Sequence, residues 1–192
     1  KTKIAVQFSL KKRLINENGH EERPDAQGFL VYPEQISLEP GEKRNVRVTW
    51  TGDAMPGQEE AYRFVATQLP IEFQKDGSAK AVQLKFLLEY VASLYLLPAN
   101  TKPKMKVVKH QVTEKGLEIL VANEGTAHFL LERMEIKYKA GGKEGAPPKA
   151  ILNELRTENL LPGNQRWLRM PLPKELGRVS ASDLNVDVNF EP

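Results

Sequence analysis

The longest regular alternation of apolar and polar positions runs from Val82 to Pro98, and the other segments are arranged around it. Every second residue there, Val82, Leu84, Phe86, Leu88, Tyr90, Ala92, Leu94 and Leu96, falls on one face. The opposite face begins with Gln83 and Lys85 and becomes mixed toward Tyr95 and Leu97. A period of two with β-branched and aromatic residues predicts a strand. Propensity alone would also allow a helix, because Leu, Lys, Glu and Ala are helix formers. The clean alternation of the first half and the abrupt stop at Pro98-Ala-Asn-Thr-Lys-Pro103 decide for strand. Two prolines in so short a stretch make a stiff connector. The expected division is therefore two β domains, 1–98 and 104–192, with a cleft between them and the connector as hinge.

The segments on either side repeat the same grammar. Ile4, Val6, Phe8 and Leu10 alternate with polar or small residues, and Asn16-Glu17-Asn18-Gly19 carries the Asn-Gly hairpin signal. Further strands are expected at Phe29–Tyr32, Ile36–Leu38, Val46–Trp50 and Tyr62–Leu69, with Pro33 and Pro70 as stops. Ile71–Phe73 would extend the last of these before a turn at Lys75-Asp76-Gly77-Ser78. Glu39-Pro40-Gly41-Glu42 is a turn in which proline fixes φ and glycine supplies the left-handed position. Loops are expected at His20–Gln27 and Thr51–Glu60. In the second half, strands are expected at Val107–Val112, Leu117–Val121, Phe129–Tyr138, Trp167–Met170 and Leu184–Phe190. Ala140–Lys149 reads as a mobile Gly/Pro loop, and Ile151–Arg156 as the one helical turn. Short strands punctuated by Gly and Pro predict an all-β chain, a sandwich formed twice.

Composition narrows the chemistry. The 192 residues, 40% hydrophobic and 28% charged, are those of a globular protein with room for two small cores. The net charge of +3 is dispersed; Lys11-Lys12-Arg13 and Lys102–Lys109 are read as solvated strand ends and connector, not a nucleic-acid surface. There is no cysteine, hence no disulfide framework or thiol chemistry, and no apolar run of membrane length. His20, His110 and His128 are far apart and lack ligand spacing, so no metal is expected, and His128 is assigned to a strand. Glu59 and Glu60 are neighbours in extended chain and point to opposite faces; they are expected at a solvated loop end. No nucleophile elbow, zinc-protease helix or phosphate loop occurs, and Gly141-Gly142 lacks a strand-to-helix context. Neither catalysis nor a cofactor is expected. The chain opens directly on a strand pattern without a signal peptide, so residues upstream of Lys1 are expected in the natural protein.

Several blocks together resemble the periplasmic pilus-assembly chaperones of the PapD-like family. They are FLVYPEQISLEPGEKRNVRV from Phe29 to Val48, Glu60-Ala-Tyr-Arg-Phe followed by Gln68-Leu69-Pro70, and the strand ending Tyr95-Leu-Leu-Pro98. VANEGTAHFLLERMEI (Val121–Ile136) and LLPGNQRWLRMPLP (Leu160–Pro173) are similar to blocks of that family's second domain. The resemblance implies two immunoglobulin-like domains, a periplasmic location, fimbrial or pilus subunits as partners, and delivery to an outer-membrane usher. It further implies that the closing strand of the first domain lends apolar side chains to an incomplete subunit. Counted from the closing proline, those residues are Leu84, Phe86 and Leu88, with Val82 extending the row. The residues by themselves leave open whether this row is the domain's own core. A tandem sandwich acting as a surface adhesion or structural module is the alternative, and it would keep Val82–Leu88 covered. An uncovered row is an aggregation hazard that self-pairing would relieve. Two departures stand out. The resemblance implies an arginine on a strand earlier than any present here, and a lysine at or near Ser93. Anchoring of a subunit's terminal carboxylate by that pair is thus in doubt.

Overall fold

The structure, a computed structural model, describes residues 3–70, 86–155, 158–172 and 181–190. Two compact units emerge: Lys1–Arg13, Glu22–Met55 and Ala61–Tyr95 form the first, and Leu14–Glu21, Pro56–Glu60 and Leu96–Pro192 the second.

The first half contributes β1 (Ile4–Lys12), β2 (Leu14–Ile15), β3 (Glu21–Glu22), β4 (Phe29–Tyr32), β5 (Gln35–Leu38), β6 (Arg47–Trp50), β7 (Glu60–Leu69) and β8 (Glu89–Leu96). In the first unit one sheet runs in the order β5-β1-β7-β8, and β4 and β6 make a separate ribbon. β1 is antiparallel to both neighbours, with Ile4 opposite Leu38 on β5 and Leu10 opposite Phe64 on β7. Aromatic rings join ribbon to sheet. Phe29 meets Tyr62 edge to face at 4.7 Å and Trp50 at 4.9 Å, while Leu10, Tyr62 and Val65 are buried. Gly28, at φ +79°, lies under the Trp50 ring, where a Cβ would come within 2.6 Å of it. The turn before β6 forms as expected, with the Glu42 N–H donating to the Glu39 carbonyl at 3.0 Å.

The Asn16–Gly19 hairpin also forms. Gly19 adopts φ 85°, and the Asn16 side chain accepts from the Asn18 and His20 N–H groups. Its tip belongs to the second unit: the Trp167 N–H donates to the Glu17 carbonyl at 2.8 Å and the Asn164 amide to the Ile15 carbonyl at 2.9 Å.

The remaining elements are β9 (Met105–Thr113), β10 (Gly116–Asn123), β11 (Phe129–Leu130), β12 (Met134–Ala140), β13 (Lys143–Gly145), α1 (Lys149–Leu155), β14 (Asn159–Leu160), β15 (Gln165–Met170) and β16 (Asn185–Phe190). They form sheets β15-β10-β9 and β13-β12-β16 with a small β11-β14 pair. Strict alternation on β12 sends Met134, Ile136 and Tyr138 into the core, where they join Leu117, Ile119 and Val121 of β10. Pro147 and Pro148 precede α1, where a missing N–H costs nothing, and Ile151, Leu152 and Leu155 pack on the same core. Asn123, 1% exposed, is the polar centre of this unit. Its Oδ1 accepts from the Lys104 and Gly125 N–H groups, and its Nδ2 donates to the Ala127 and Leu160 carbonyls.

Four expectations are corrected. Phe129–Tyr138 is not one strand: a 3-10 turn at Leu131–Arg133 divides it and buries Leu131. Ala140–Lys149 is not an irregular loop, because Gly141 and Gly142, at φ 56° and 75°, make a tight hairpin turn that pairs Ala140 with Lys143. Glu59 is no solvated loop end but is 3% exposed. Its carboxylate lies 2.8 Å from Nδ1 of His128 and accepts the His128 backbone N–H at 2.9 Å. A buried carboxylate needs such donors to offset lost hydration. His128 accordingly sits in the loop before β11, outside any strand.

Candidate functional site

The expected long strand from Val82 to Pro98 is described only from residue 86 onward, and Val82 and Leu84 lie outside the described residues, as do Ile71–Phe73 and the Lys75–Ser78 turn. Regular strand geometry begins at Glu89, and Phe86–Leu88 precede it outside any regular element. The Leu88 carbonyl still accepts the Gln68 N–H at 2.9 Å, so the segment is tied to the end of β7. Among the described residues β8 is outermost in its sheet, with β7 as its single neighbour. An outermost strand presents a row of unpaired N–H and C=O groups on its free side.

The side chains there are apolar and uncovered. Phe86 is 74% exposed, Leu88 50% and Tyr90 67%, with Leu87 and Val91 exposed beside them. The sequence-expected residues Phe86 and Leu88 are therefore together at an open sheet edge. Large apolar side chains grouped at an edge, rather than scattered singly, mark an interaction surface.

Basic groups from other segments meet the same strand farther along. Arg63 of β7 donates to the Ser93 hydroxyl at 2.5 Å, and Arg13 to the Tyr95 hydroxyl at 3.4 Å. Ser93 and Tyr95 are two residues apart on β8, so both arginines address one face. Lys11 pairs across the sheet with Arg63 and bonds Asp25 at 2.5 Å, while Lys12 lies over the Tyr62 ring. No basic residue stands at Ser93 in the sequence; the cation at that hydroxyl comes from the neighbouring strand. The available signal was one arginine inside the apolar run Tyr62-Arg63-Phe64-Val65. Cross-strand registry, invisible in one sequence, decides what it meets. Among the described residues no group of three or more His, Cys, Asp or Glu is placed to hold a metal ion. Nor is any helix among them long and apolar enough to cross a membrane.

Comparison with solved structures places this architecture. The class 5 fimbriae chaperone CfaA matches at TM-score 0.57 and 18% identity, over 100% of this chain and 82% of that one. The CsuC–CsuE chaperone–tip adhesion subunit complex of Acinetobacter baumannii archaic chaperone-usher Csu pili matches at 0.56 and 16%, covering 90% and 76%. The Salmonella enterica SafA pilin–SafB chaperone complex matches at 0.54 and 20%, covering 88% and 71%. These likenesses define the class as a protein of two immunoglobulin-like β-sandwich domains. The family model of the pili and flagellar-assembly chaperones, PapD N-terminal domain, matches residues 1–102, over half the chain, and the chain belongs to that family. No curated protein sequence matches it.

Proposed function

We propose that this pilus-assembly chaperone acts in the periplasm, completes fimbrial subunits by β-strand addition, and hands them to an outer-membrane usher. The donor segment is Val82 to Leu88, with Val82, Leu84, Phe86 and Leu88 as the inserted side chains. The observation that carries this reading is the exposure of Phe86 and Leu88 beside an outermost strand. A strand added to such an edge gains backbone hydrogen bonds, and alternate side chains fill pockets. A surface module with a covered row would not leave these residues open. Four large apolar side chains offer a gross ~6–12 kcal/mol when buried, at ~1.5–3 kcal/mol each. Orientation and ordering costs remove much of it, which suits a subunit held firmly and then released. Arg63 and Arg13, bracketing Ser93 and Tyr95, supply the cationic end at which a subunit's terminal carboxylate is held. The working division is 1–98 as the subunit-binding domain and 104–192 as the second, joined through Pro98–Pro103.

The test is co-expression with a fimbrial subunit encoded beside this chain, comparing recovered complex for the parent and Phe86→Asp. A charge driven into an apolar pocket without a partner should abolish recovery. A folded Phe86→Asp chain that recovers as much complex as the parent would show that this segment is not the donor.

A further inference from the structure

The second unit contains a groove of about 690 Å3 whose described lining includes none of the proposed donor residues. Its floor is apolar, made by Met105 of β9, Phe129 of β11, and Val188 and Phe190 of β16. Phe129 is buried and meets Phe190 edge to face at 5.6 Å, so the floor is continuous with the core. The rim is basic: Lys102, His128 and Arg133 line it, and among the described residues no carboxylate does.

Several cations elsewhere on the unit are matched by carboxylates. Lys104 and Lys106 are matched by Glu124, Lys139 by Glu144, Arg166 by Glu158 and Arg169 by Glu118. The His128 ring is engaged with Glu59. Among the described residues neither the Lys102 ammonium nor the Arg133 guanidinium has a carboxylate partner, and both residues are exposed. The walls are equally distinctive. β9 and β16 are each outermost in their sheets among the described residues, and they come within 8 Å of each other. Outermost strands leave one side of the backbone without a ladder partner.

We propose that this groove binds an extended peptide segment in which an apolar side chain stands next to a carboxylate. The apolar side chain lies on the Phe129–Phe190 floor and the carboxylate meets Lys102 and Arg133. The peptide backbone runs along the open side of β16. An extended chain satisfies all three features together, whereas a lipid surface is too flat to enter a slot between strand edges. The described lining lies within the second unit, so the inference is tested separately from strand donation.

The experiment uses the full chain and three dye-labelled, end-blocked hexapeptides read by fluorescence anisotropy. One carries Phe-Asp at its centre, one Phe-Lys and one Gly-Asp, with glycine elsewhere. The Phe-Asp peptide should bind at least about tenfold tighter than either of the others, with affinity falling as salt is raised. The double variant Lys102→Glu, Arg133→Glu should reverse the order and favour Phe-Lys. Both positions are exposed, and an unchanged melting temperature establishes that the variant is folded. Failure of the parent to bind the Phe-Asp peptide overturns the proposal, as does equal binding of Phe-Asp and Phe-Lys. So does unaltered preference in the double variant. Capture of phosphatidylglycerol vesicles, or self-association of the chain, that is lost in the double variant without any peptide binding also overturns it.

Discussion

Two strands of eight residues, β8 (EYVASLYL) and β10 (GLEILVAN), are alike in length and apolar content and opposite in fate. β10 lies between β9 and β15 and turns Leu117, Ile119 and Val121 into a core that excludes water. β8 has one neighbour among the described residues, and its first five positions are exposed. Hydrophobicity is therefore not what separates them. Burial depends on having a partner on each edge and a layer over the face, both supplied by residues remote in sequence. In β10 the apolar residues stabilise their own unit; in β8 they are available to another molecule.

The sharpest way to break this comparison is to perturb both strands and measure stability and subunit binding separately. Ile119→Ala, at a fully buried position, should cost about 2–5 kcal/mol in urea unfolding through lost transfer energy and a cavity. A cost under about 1 kcal/mol would mean the core around β10 relaxes freely. Glu59→Gln comes next, at about 1–3 kcal/mol, because an NH2 group replaces one of the two acceptor oxygens that face the backbone N–H and ring of His128. Phe86→Asp should alter unfolding stability by no more than about 0.5 kcal/mol, the range expected of an exposed site. Subunit recovery should nevertheless collapse. Arg63→Ala should be equally mild in stability yet reduce recovered complex, and Arg63→Lys should restore part of it. Equal recovery by Arg63→Ala would remove the arginine from the carboxylate end.

The smallest effect concerns an exposed charge. Hydrogen bonds from Lys106 and Lys104 hold the Glu124 carboxyl below its ordinary value of 4.5. With the folded value lower than the unfolded one, the contribution is present above that value and lost as pH falls through the folded one. Parent and Glu124→Gln should differ slightly in melting temperature above pH 4.5 and converge in acid. A gap that widens on acidification would mean the sign is wrong.

Periodicity made most of the fold legible. β12 and β16 alternate so regularly that their inward faces follow from the residue pattern. The turn at Leu131–Arg133 was hidden because Leu-Glu-Arg carries neither glycine nor proline, and apolar residues flank it on both sides. Gly141-Gly142 is legible as a break, while its paired positive φ values, which suit a two-residue hairpin turn, are not. Nothing beside Glu59 in the sequence marks it for burial. The residue that buries it, His128, is 69 positions away. At the candidate site the apolar row was plain in Phe86 and Leu88, while the Arg63–Ser93 contact depends on how β7 and β8 register.

Asn123 sets a limit on how this family member can drift. Its amide accepts twice and donates twice in a pocket that is 1% exposed. Aspartate would face two carbonyls with no hydrogen to offer them, serine is too short to reach four partners, and glutamine is too long by one methylene. In a library carrying every single substitution, selection for folded chains should leave this position nearly monochrome. Glu124 and Thr126, exposed on the same turn, should fill with alternatives. A polar residue with no chemistry of its own would then look, in an alignment of survivors, as constrained as an active-site group.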